Sequence, residues 1–381
     1  MKIIADNRIP FLKGILEPYA EVVYLPCKDI QNGDVLDADA LLIRTRTKCD
    51  GELLDGSNVK FIGTAAIGFD HIDTDYCQAK NIRWANAPGC NAKAVAQYVI
   101  SSIIQFSRTY GFLPSDKTIG IIGVGQVGQK VERFCRLLGM NVLLNDPPRA
   151  RNEGEKNFVS LERILAESDI VTFHPVLEKE GPDKTWHMAD SLFFSKLKKP
   201  AFLINTARGP IVDTEALKQA MHDGQIIDCA LDCWENEPEI DQQLLEKVLI
   251  GTPHISGYSS DGKANGTKTV IEQLNQFFDL RMPKIELQLS TPDEPVLKIR
   301  KNDPQKIESA LLYAYDPVKD SQLLKKAPQK FDEIRSNYVF RREYKAFRIL
   351  NSNETDAELL KAYGFQVPIK SEVSNLDDYR E

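Results

Sequence analysis

The feature that most constrains the fold of this 381-residue chain is a glycine-rich turn between an apolar strand and a helix. The β-branched, apolar run Thr118–Ile122 predicts a buried strand, and it leads into Gly123-Val124-Gly125-Gln126-Val127-Gly128. Apolar residues at helical spacing follow up to Leu138, and a second predicted strand, Asn141–Asn145, ends at Asp146. This order of elements is typical of a βαβ unit, in which helices pack on a parallel sheet.

Each glycine of the turn meets a different steric requirement of dinucleotide binding. Gly123 allows a tight turn, Gly125 lets a pyrophosphate approach the backbone, and Gly128 lets the helix pack closely on the strand. The free N–H groups of the helix N-terminus attract phosphates, and Asp146 is placed to bind a ribose 2′-hydroxyl. The predicted dinucleotide-binding residues of this turn are Gly123, Gly125, Gln126, Val127, Gly128 and Asp146.

The carboxylate of Asp146 favours NAD, because it would repel the 2′-phosphate of NADP. Arg149 is the one residue that argues the other way, since a guanidinium could bind that phosphate. Two prolines separate Arg149 from Asp146, so the sequence favours a solvated arginine or one beside the adenine.

Composition limits the other classes of function. The formal net charge of −7 argues against a nucleic-acid-binding protein, and we find neither a membrane-spanning apolar run nor a signal peptide. The seven cysteines include no Cys-x-x-Cys pair, so reduced thiols are a simpler explanation than a metal site. We therefore expect a cytoplasmic protein without a bound metal.

A second parallel sheet is predicted before the glycine-rich turn, because short apolar strands alternate with helical patterns up to about Ile62. Arg44-Thr45-Arg46 follows the predicted strand Ala40–Ile43, at the edge where ligands of such sheets bind. Two arginines around a hydroxyl suit a phosphate; the alternative is two solvated loop charges. The small residues around Ala66 leave backbone N–H groups accessible.

Three strand ends after the glycine-rich turn carry Arg208, Glu237 and His254. In a doubly wound sheet these ends face the cleft that holds the cofactor. Thr206 and Ala207 follow the same strand as Arg208 and are predicted to contact the cofactor. His174 also follows a strand, and it either lines the nicotinamide side or is an ordinary loop histidine.

Together these residue types fit the oxidation of a 2-hydroxy acid. Histidine is a suitable base near neutral pH, and Glu237 can fix its tautomer and stabilise the imidazolium. Arg208 can grip a substrate carboxylate through two hydrogen bonds.

The glycine-rich loop with INTARGPIVDTEAL, DCWENEP and TPHISGY resembles the D-isomer-specific 2-hydroxyacid dehydrogenase family. The resemblance implies an α/β fold with two Rossmann-like lobes, doubly wound parallel sheets, the catalytic lobe being discontinuous in sequence. It also implies that Arg208, Glu237 and His254 are the catalytic residues.

A narrower resemblance rests on APGCNAKAVAQYV, NDPPRA, GPDKTWHMAD, HISGYSSDGKANGT and the long C-terminal tail. It is to a branch of this family that oxidises 4-phospho-D-erythronate to 3-hydroxy-2-oxo-4-phosphonooxybutanoate, a step toward pyridoxal 5′-phosphate (vitamin B6). The branch implies that Thr45 and Tyr258 contact the substrate, and that Asp232 and Gly257 contact NAD together with Asp146.

Two positions depart from the pattern of this branch. Ala66 stands where a substrate-binding threonine is expected, and only its backbone N–H remains for the substrate. Pro175 replaces a residue with an N–H and a hydroxyl, so one cofactor contact is in doubt there.

The tail predicts a third, α+β domain. We expect strands at Ile285–Leu289, Val296–Ile299 and Phe347–Ile349, and a helix or a helix plus a turn at each of Pro304–Val318 and Leu323–Lys330. The resemblance implies that this domain dimerises, and a small sheet with open edges also favours a closed homodimer. The aromatic and basic run Ser336–Arg348 suits an interface, in which Arg341 or Arg342 could reach the partner's cleft; the alternative is that this run is a solvated helix face.

The predicted domains are a substrate lobe (1–96 and 256–284), an NAD-binding domain (97–255) and a C-terminal dimerisation domain (285–381). Two other functions stay open at this point. One is a phosphoglycerate-type 2-hydroxyacid dehydrogenase, which also carries a C-terminal domain. The other is an NAD-sensing binding protein without enzymatic activity on the same fold.

Overall fold

The computed structural model describes residues 1–300 and 302–368; Lys301 and residues 369–381 of the predicted C-terminal domain lie outside the described residues. The strands are β1 (Lys2–Asp6), β2 (Glu21–Leu25), β3 (Ala40–Ile43), β4 (Phe61–Thr64), β5 (Arg83–Ala85), β6 (Thr118–Ile122), β7 (Asn141–Asn145), β8 (Ile170–Phe173), β9 (Ala201–Asn205), β10 (Ile226–Leu231), β11 (Ile250–Gly251), β12 (Val296–Lys298) and β13 (Arg348–Leu350).

The α-helices are α1 (Asn32–Val35), α2 (Gly51–Leu54), α3 (Thr74–Ala79), α4 (Ala92–Tyr110), α5 (Gln126–Leu137), α6 (Pro147–Glu153), α7 (Leu161–Glu167), α8 (Ser191–Ser195), α9 (Thr214–His222), α10 (Gln242–Lys247), α11 (Ser260–Phe278), α12 (Lys306–Ala314), α13 (Pro317–Lys326), α14 (Phe331–Ser336) and α15 (Glu354–Tyr363). Among the helices of the described residues, none is both long and apolar enough to cross a lipid bilayer.

The first compact unit comprises residues 1–91 and 259–290. Its sheet has the strand order β2-β1-β3-β4-β5, and the neighbouring strands are parallel. Helix α11 brings the chain back to this sheet and packs Val270 against Gly63 of β4. The strand order reverses between β1 and β3, which is where such sheets bind ligands.

The second compact unit contains residues 92–258 and the described residues from 291 onward. Its sheet has the order β11-β10-β9-β8-β6-β7, and its strands are also parallel. The strand order reverses between β6 and β8, whose last residues Ile122 and Phe173 are paired. The prediction of two doubly wound, Rossmann-like sheets is therefore confirmed.

The tail packs into the hydrophobic core of the second unit rather than forming a core of its own. The ring of Phe134 on α5 lies 5.9 Å from the ring of Tyr344 and 5.2 Å from that of Tyr363. The hydroxyl of Tyr363 donates to the carbonyl of Phe134 at 3.0 Å. The short parallel pair β12-β13 is the predicted small sheet.

One strand predicted in the tail is not found among the described residues. Residues 285–289 alternate in exposure like a strand but pair with no strand among the described residues. Of the two alternatives for Pro304–Val318, the unbroken helix is wrong. Helix α12 ends at Ala314, because Pro317 disfavours helical geometry in Asp316, the residue before it. Asp316 instead caps the next helix by accepting from the N–H of Val318.

Candidate active site

The glycine-rich turn has the geometry that a dinucleotide requires. Gly123 has φ +83°, and a Cβ there would lie 2.4 Å from the backbone nitrogen of Pro175. A Cβ on Gly128 would lie 2.2 Å from the carbonyl oxygen of Gly123, whereas the space at Gly125 is open. Gly125 provides no side-chain cap to α5, so its first N–H groups remain available to phosphate oxygens. The residues of the turn therefore fit NAD.

His174 is a fixed part of the base of this turn. Its Nε2 lies 2.9 Å from the hydroxyl of Thr172, and its Nδ1 lies 3.1 Å from the hydroxyl of Thr206. Burial lowers the pKa of His174 to about 3, so the imidazole is neutral. It is therefore more constrained than an ordinary loop histidine, and its contact with the nicotinamide stays a prediction.

Asp146 and Arg149 together favour NAD over NADP. One oxygen of Asp146 accepts from the N–H of Val124 at 2.8 Å, and the other accepts from the N–H of Arg149 at 3.0 Å. The Arg149 guanidinium donates to both oxygens of Glu153 and to the carbonyl of Val124. The guanidinium of Arg149 thus binds residues of its own helix and of the glycine-rich turn. We therefore no longer expect it to bind the 2′-phosphate of NADP.

Asp146→Ser should narrow the preference for NAD over NADP by about 10- to 100-fold, because the charge that repels the 2′-phosphate is gone. Serine still caps α6, so the turn should keep its shape. The measurement is the ratio of kcat/KM values for the two cofactors in wild type and variant. An unchanged ratio would show that a different group selects the cofactor.

The two residues predicted to form an acid–base pair are hydrogen-bonded to each other, on the segments that follow β10 and β11. Nδ1 of His254 lies 2.8 Å from Oε2 of Glu237, and Oε1 of Glu237 accepts from the N–H of Trp234 at 2.9 Å. Burial opposes ionisation of Glu237, but the charge of His254 and these hydrogen bonds hold its pKa below the usual value. An ionised carboxylate only accepts, so Nδ1 of His254 carries a hydrogen, and in the neutral imidazole Nε2 is the nitrogen that keeps its lone pair.

Asp232 holds the loop on which His254 lies. Its carboxylate is fully buried and accepts from the hydroxyl of Thr252 at 2.7 Å and from the N–H groups of Ile255 and Ser256. His254 itself has φ +56°, a left-handed geometry that histidine adopts more readily than most residues. The predicted contacts of Asp232 and the buried Gly257 with NAD stay predictions.

Arg208 follows β9, on a loop that packs tightly on the neighbouring strand end. A Cβ on Gly209 would lie 1.8 Å from the carbonyl oxygen of Trp234, so the backbone next to Arg208 touches the turn that leads to Glu237. Asn205 donates to the carbonyl of Arg208 at 2.9 Å and accepts from the N–H of Ala207 at 3.1 Å. The loop therefore holds Arg208 on the strand-end edge that carries Glu237.

In the first unit, Arg44 forms an ion pair at the reversal of strand order. Its Nε lies 2.8 Å from Oδ2 of Asp6, the fully buried last residue of β1. Arg44 is therefore not a solvated loop charge, whereas Thr45 and Arg46 are exposed and Ala66 is half-buried. The substrate contacts of these four positions stay predictions.

The tail contributes two arginines to the surroundings of the acid–base pair. Arg341 donates to the carbonyls of Ala94, Ile255, Ser256 and Tyr258, and its guanidinium lies 3.8 Å above the ring of Tyr315. The prediction that Arg341 reaches the cleft of a partner is therefore wrong, because its donors bind carbonyls of its own chain. For Arg342 that idea stays a prediction.

Arg335 is the residue that sequence reasoning missed. Its Nη1 lies 3.7 Å from Oε2 of Glu237, and its Nε donates to the hydroxyl of Tyr258 at 3.3 Å. It immediately precedes the aromatic and basic run that the sequence singled out. The only sign in the sequence was a basic residue next to this run. That sign did not indicate that Arg335 would lie beside Glu237, after β10.

The chain is similar to known dehydrogenases. Residues 92–256 match the family described as D-isomer specific 2-hydroxyacid dehydrogenase, NAD binding domain, and residues 293–364 match a domain of unknown function, DUF3410. The solved D-lactate dehydrogenase of Aquifex aeolicus, in complex with NAD and lactic acid, is 26% identical with a TM-score of 0.61, over 73% of this chain and 96% of that one.

Two relatives extend over nearly the whole chain. The erythronate-4-phosphate dehydrogenase of Bacteroides thetaiotaomicron is 50% identical over 92% of this chain and 99% of its own. That of Porphyromonas gingivalis is 39% identical over 96% of this chain and 100% of its own. The chain is an NAD-dependent oxidoreductase acting on CH–OH groups, and it belongs to the erythronate-4-phosphate dehydrogenase family of the D-isomer-specific 2-hydroxyacid dehydrogenases.

Proposed function

We propose that this protein oxidises the 2-hydroxyl group of 4-phospho-D-erythronate with NAD. The product is 3-hydroxy-2-oxo-4-phosphonooxybutanoate, and the reaction is a step toward pyridoxal 5′-phosphate. The observation that carries the proposal is the hydrogen-bonded pair of His254 and Glu237 at the strand ends of the NAD-binding sheet. Half of the residues aligned with the relative in Bacteroides thetaiotaomicron, which is named for this substrate, are identical.

The chain's own residues supply the proton chemistry. NAD, held by the glycine-rich turn, would supply the acceptor for the substrate's hydride. Nε2 of His254, whose lone pair is free, takes the proton of the 2-hydroxyl. Glu237 then stabilises the imidazolium through Nδ1, and Arg208 binds the carboxylate through its planar guanidinium. The buried Asp232 keeps the loop of His254 in place during this transfer.

We propose that the substrate phosphate is bound by the loop of Arg44, Thr45 and Arg46, with the backbone of Ala66 and with Tyr258. Because the phosphate would accept charge-assisted hydrogen bonds, KM for 4-phosphoerythronate should be much lower than KM for plain erythronate. Arg46 is the better position for a test, because removing Arg44 would leave the buried charge of Asp6 without its partner.

Arg46→Ala should raise KM for 4-phosphoerythronate by about tenfold, as expected for one lost charged hydrogen bond, and should leave KM for plain erythronate unchanged. The assay follows NADH formation with 4-phosphoerythronate, erythronate and 3-phosphoglycerate. Faster turnover of 3-phosphoglycerate would favour the phosphoglycerate-type enzyme. No turnover of any of the three would favour an NAD-sensing binding protein.

We also propose that the protein is a cytoplasmic homodimer that pairs through its C-terminal segment. The exposed apolar side chain of Val339 in this segment supports a contact surface there. Sedimentation equilibrium should give twice the chain mass of 43.0 kDa, and Val339→Asp should weaken the dimer. A chain truncated near Pro283 is a poor test, because it would remove Tyr344 and Tyr363 from the core around Phe134. A monomeric full-length chain would contradict the proposal.

A further inference from the structure

One side chain of the C-terminal segment reaches the catalytic pair. Arg335 lies near the end of the short helix α14, and its Nη1 is 3.7 Å from Oε2 of Glu237. That oxygen also accepts from Nδ1 of His254. The Arg335 and Glu237 side chains are only 18% and 19% exposed, so solvent screens their attraction less than it would on the surface.

The same guanidinium also holds Tyr258. Its Nε donates to the tyrosine hydroxyl at 3.3 Å, and its central carbon lies 6.0 Å from the centre of the tyrosine ring. The ring is further enclosed by Tyr338 and Phe340, at centroid distances of 6.2 and 6.0 Å. The position of Tyr258 therefore depends on three residues of the tail.

We propose that Arg335 is a positioning residue for the dehydrogenase reaction, which holds Glu237 and Tyr258 in place beside His254. The domain of unknown function at residues 293–364 would thereby supply part of the active site, in addition to any role in dimerisation. The proposal deepens the proposed function, on which it rests for the identity of the reaction, whereas the arrangement of Arg335 does not depend on the substrate.

The charge of Arg335 acts on the proton of His254. A cation beside Glu237 stabilises the carboxylate, but it also disfavours a second cation, the imidazolium of His254, next to the same carboxylate oxygen. Without Arg335, the imidazolium would feel the attraction of Glu237 but no repulsion from a neighbouring guanidinium. His254 would then keep its second proton up to a higher pH. A free base at neutral pH is what proton removal from the substrate requires.

The other ionisable groups around the pair do not replace Arg335. Asp232 already accepts hydrogen bonds from the loop of His254. Sγ of Cys233 lies within 4.8 Å of a carboxylate oxygen of Glu237 and a ring nitrogen of His254. Burial raises the pKa of this thiol well above the usual value, so it stays neutral. Arg208 is a second cation near Cys233, and it is present in every variant compared below.

The test measures the protonation of His254 directly, without substrate. The full-length protein is labelled with ¹³C-histidine, and the imidazole signal of His254 is identified among the five histidines by its loss in His254→Asn. In Arg335→Gln the midpoint of its titration should rise by about half a unit to one unit, the size expected for the loss of one partly screened charge. Arg335→Lys should restore most of the shift.

The matched control is Lys330→Gln, which removes one positive charge before the same helix. Lys330 pairs with Glu333 on the surface, where the two side chains are 52% and 58% exposed. This variant should leave the midpoint unchanged. If the glutamine variant of Arg335 does not fold, Arg335→Met keeps the apolar stem over Tyr258 and provides the same comparison.

Kinetics gives the second measurement. The acid limb of kcat/KM should move to higher pH by the same amount in Arg335→Gln, with unchanged affinity for NAD. An unaltered titration midpoint in Arg335→Gln would overturn the proposal, even if turnover fell. A wild-type enzyme that fails to oxidise 4-phosphoerythronate would instead contradict the proposed function, while the titration would still decide on Arg335.

Discussion

Replacing His254 by asparagine is expected to lower the rate of NADH formation by about 10³-fold, since a general base contributes on the order of 10²- to 10⁴-fold to such reactions. Asparagine suits the site, because it tolerates the left-handed φ of +56° at this position. It can also keep a hydrogen bond to Glu237 in place of Nδ1. NAD binding, measured by calorimetry, should be unchanged, because the glycine-rich turn is untouched.

The chain contains a matched control for this variant. His187 also has a positive φ, of +49°, and its Nε2 lies 2.7 Å from a glutamate, Glu235. His187→Asn should leave turnover within about twofold of wild type, since this histidine lies outside the proposed acid–base pair. Near-normal turnover of His254→Asn would refute the assignment of the base.

Glu237→Gln is expected to lower kcat by about 10²- to 10³-fold through the tautomer of His254. The N–H of Trp234 needs an acceptor at the position of Oε1, so the amide oxygen of glutamine should face Trp234. The NH₂ group then faces Nδ1 of His254 and donates to it. The ring must carry its hydrogen on Nε2, which leaves no base toward the substrate.

The pH dependence of this variant has a defined sign. Loss of the carboxylate removes the group that stabilises the imidazolium, so the acid limb of the rate profile should move to lower pH. Arg335→Gln should move it in the opposite direction. Glu235→Gln is the control, because Glu235 also accepts from a backbone N–H, that of Thr214, and contacts a histidine. A limb that moves to higher pH in Glu237→Gln would contradict the proposed role of the carboxylate.

The sequence predicted the elements that local patterns determine. Short apolar runs located the strands of both parallel sheets, and polar residues at their ends located His254, Glu237 and Arg208. The pairing of His254 with Glu237 followed, since carboxyl ends of neighbouring parallel strands meet at one edge. The end of α12 before Asp316 could also have been predicted from Pro317. The apolar residues at helical spacing across this point instead favoured a continuous helix.

Contacts between distant segments could not be predicted in the same way. Asp6 and Arg44 meet because β1 pairs with β3, a register that neither short strand specifies alone. Arg335 and Arg341 reach the loop of His254 through the fold of the tail, whose aromatic residues Tyr344 and Tyr363 pack on Phe134 of α5. For the same reason, a run of aromatic and basic residues resembled an interface, whereas Arg341 binds carbonyls of its own chain.

The contacts of Arg341 also determine the order in which the site can mature during synthesis. The carbonyls of Ile255, Ser256 and Tyr258, to which it donates, leave the ribosome long before Arg341 itself. Domains fold progressively from the N-terminus as the chain emerges, so the NAD-binding sheet can form while these carbonyls still lack their donor. The loop of His254 is therefore completed last, and a nascent or C-terminally clipped chain would carry the side chains proposed for catalysis without the support that holds this loop in place.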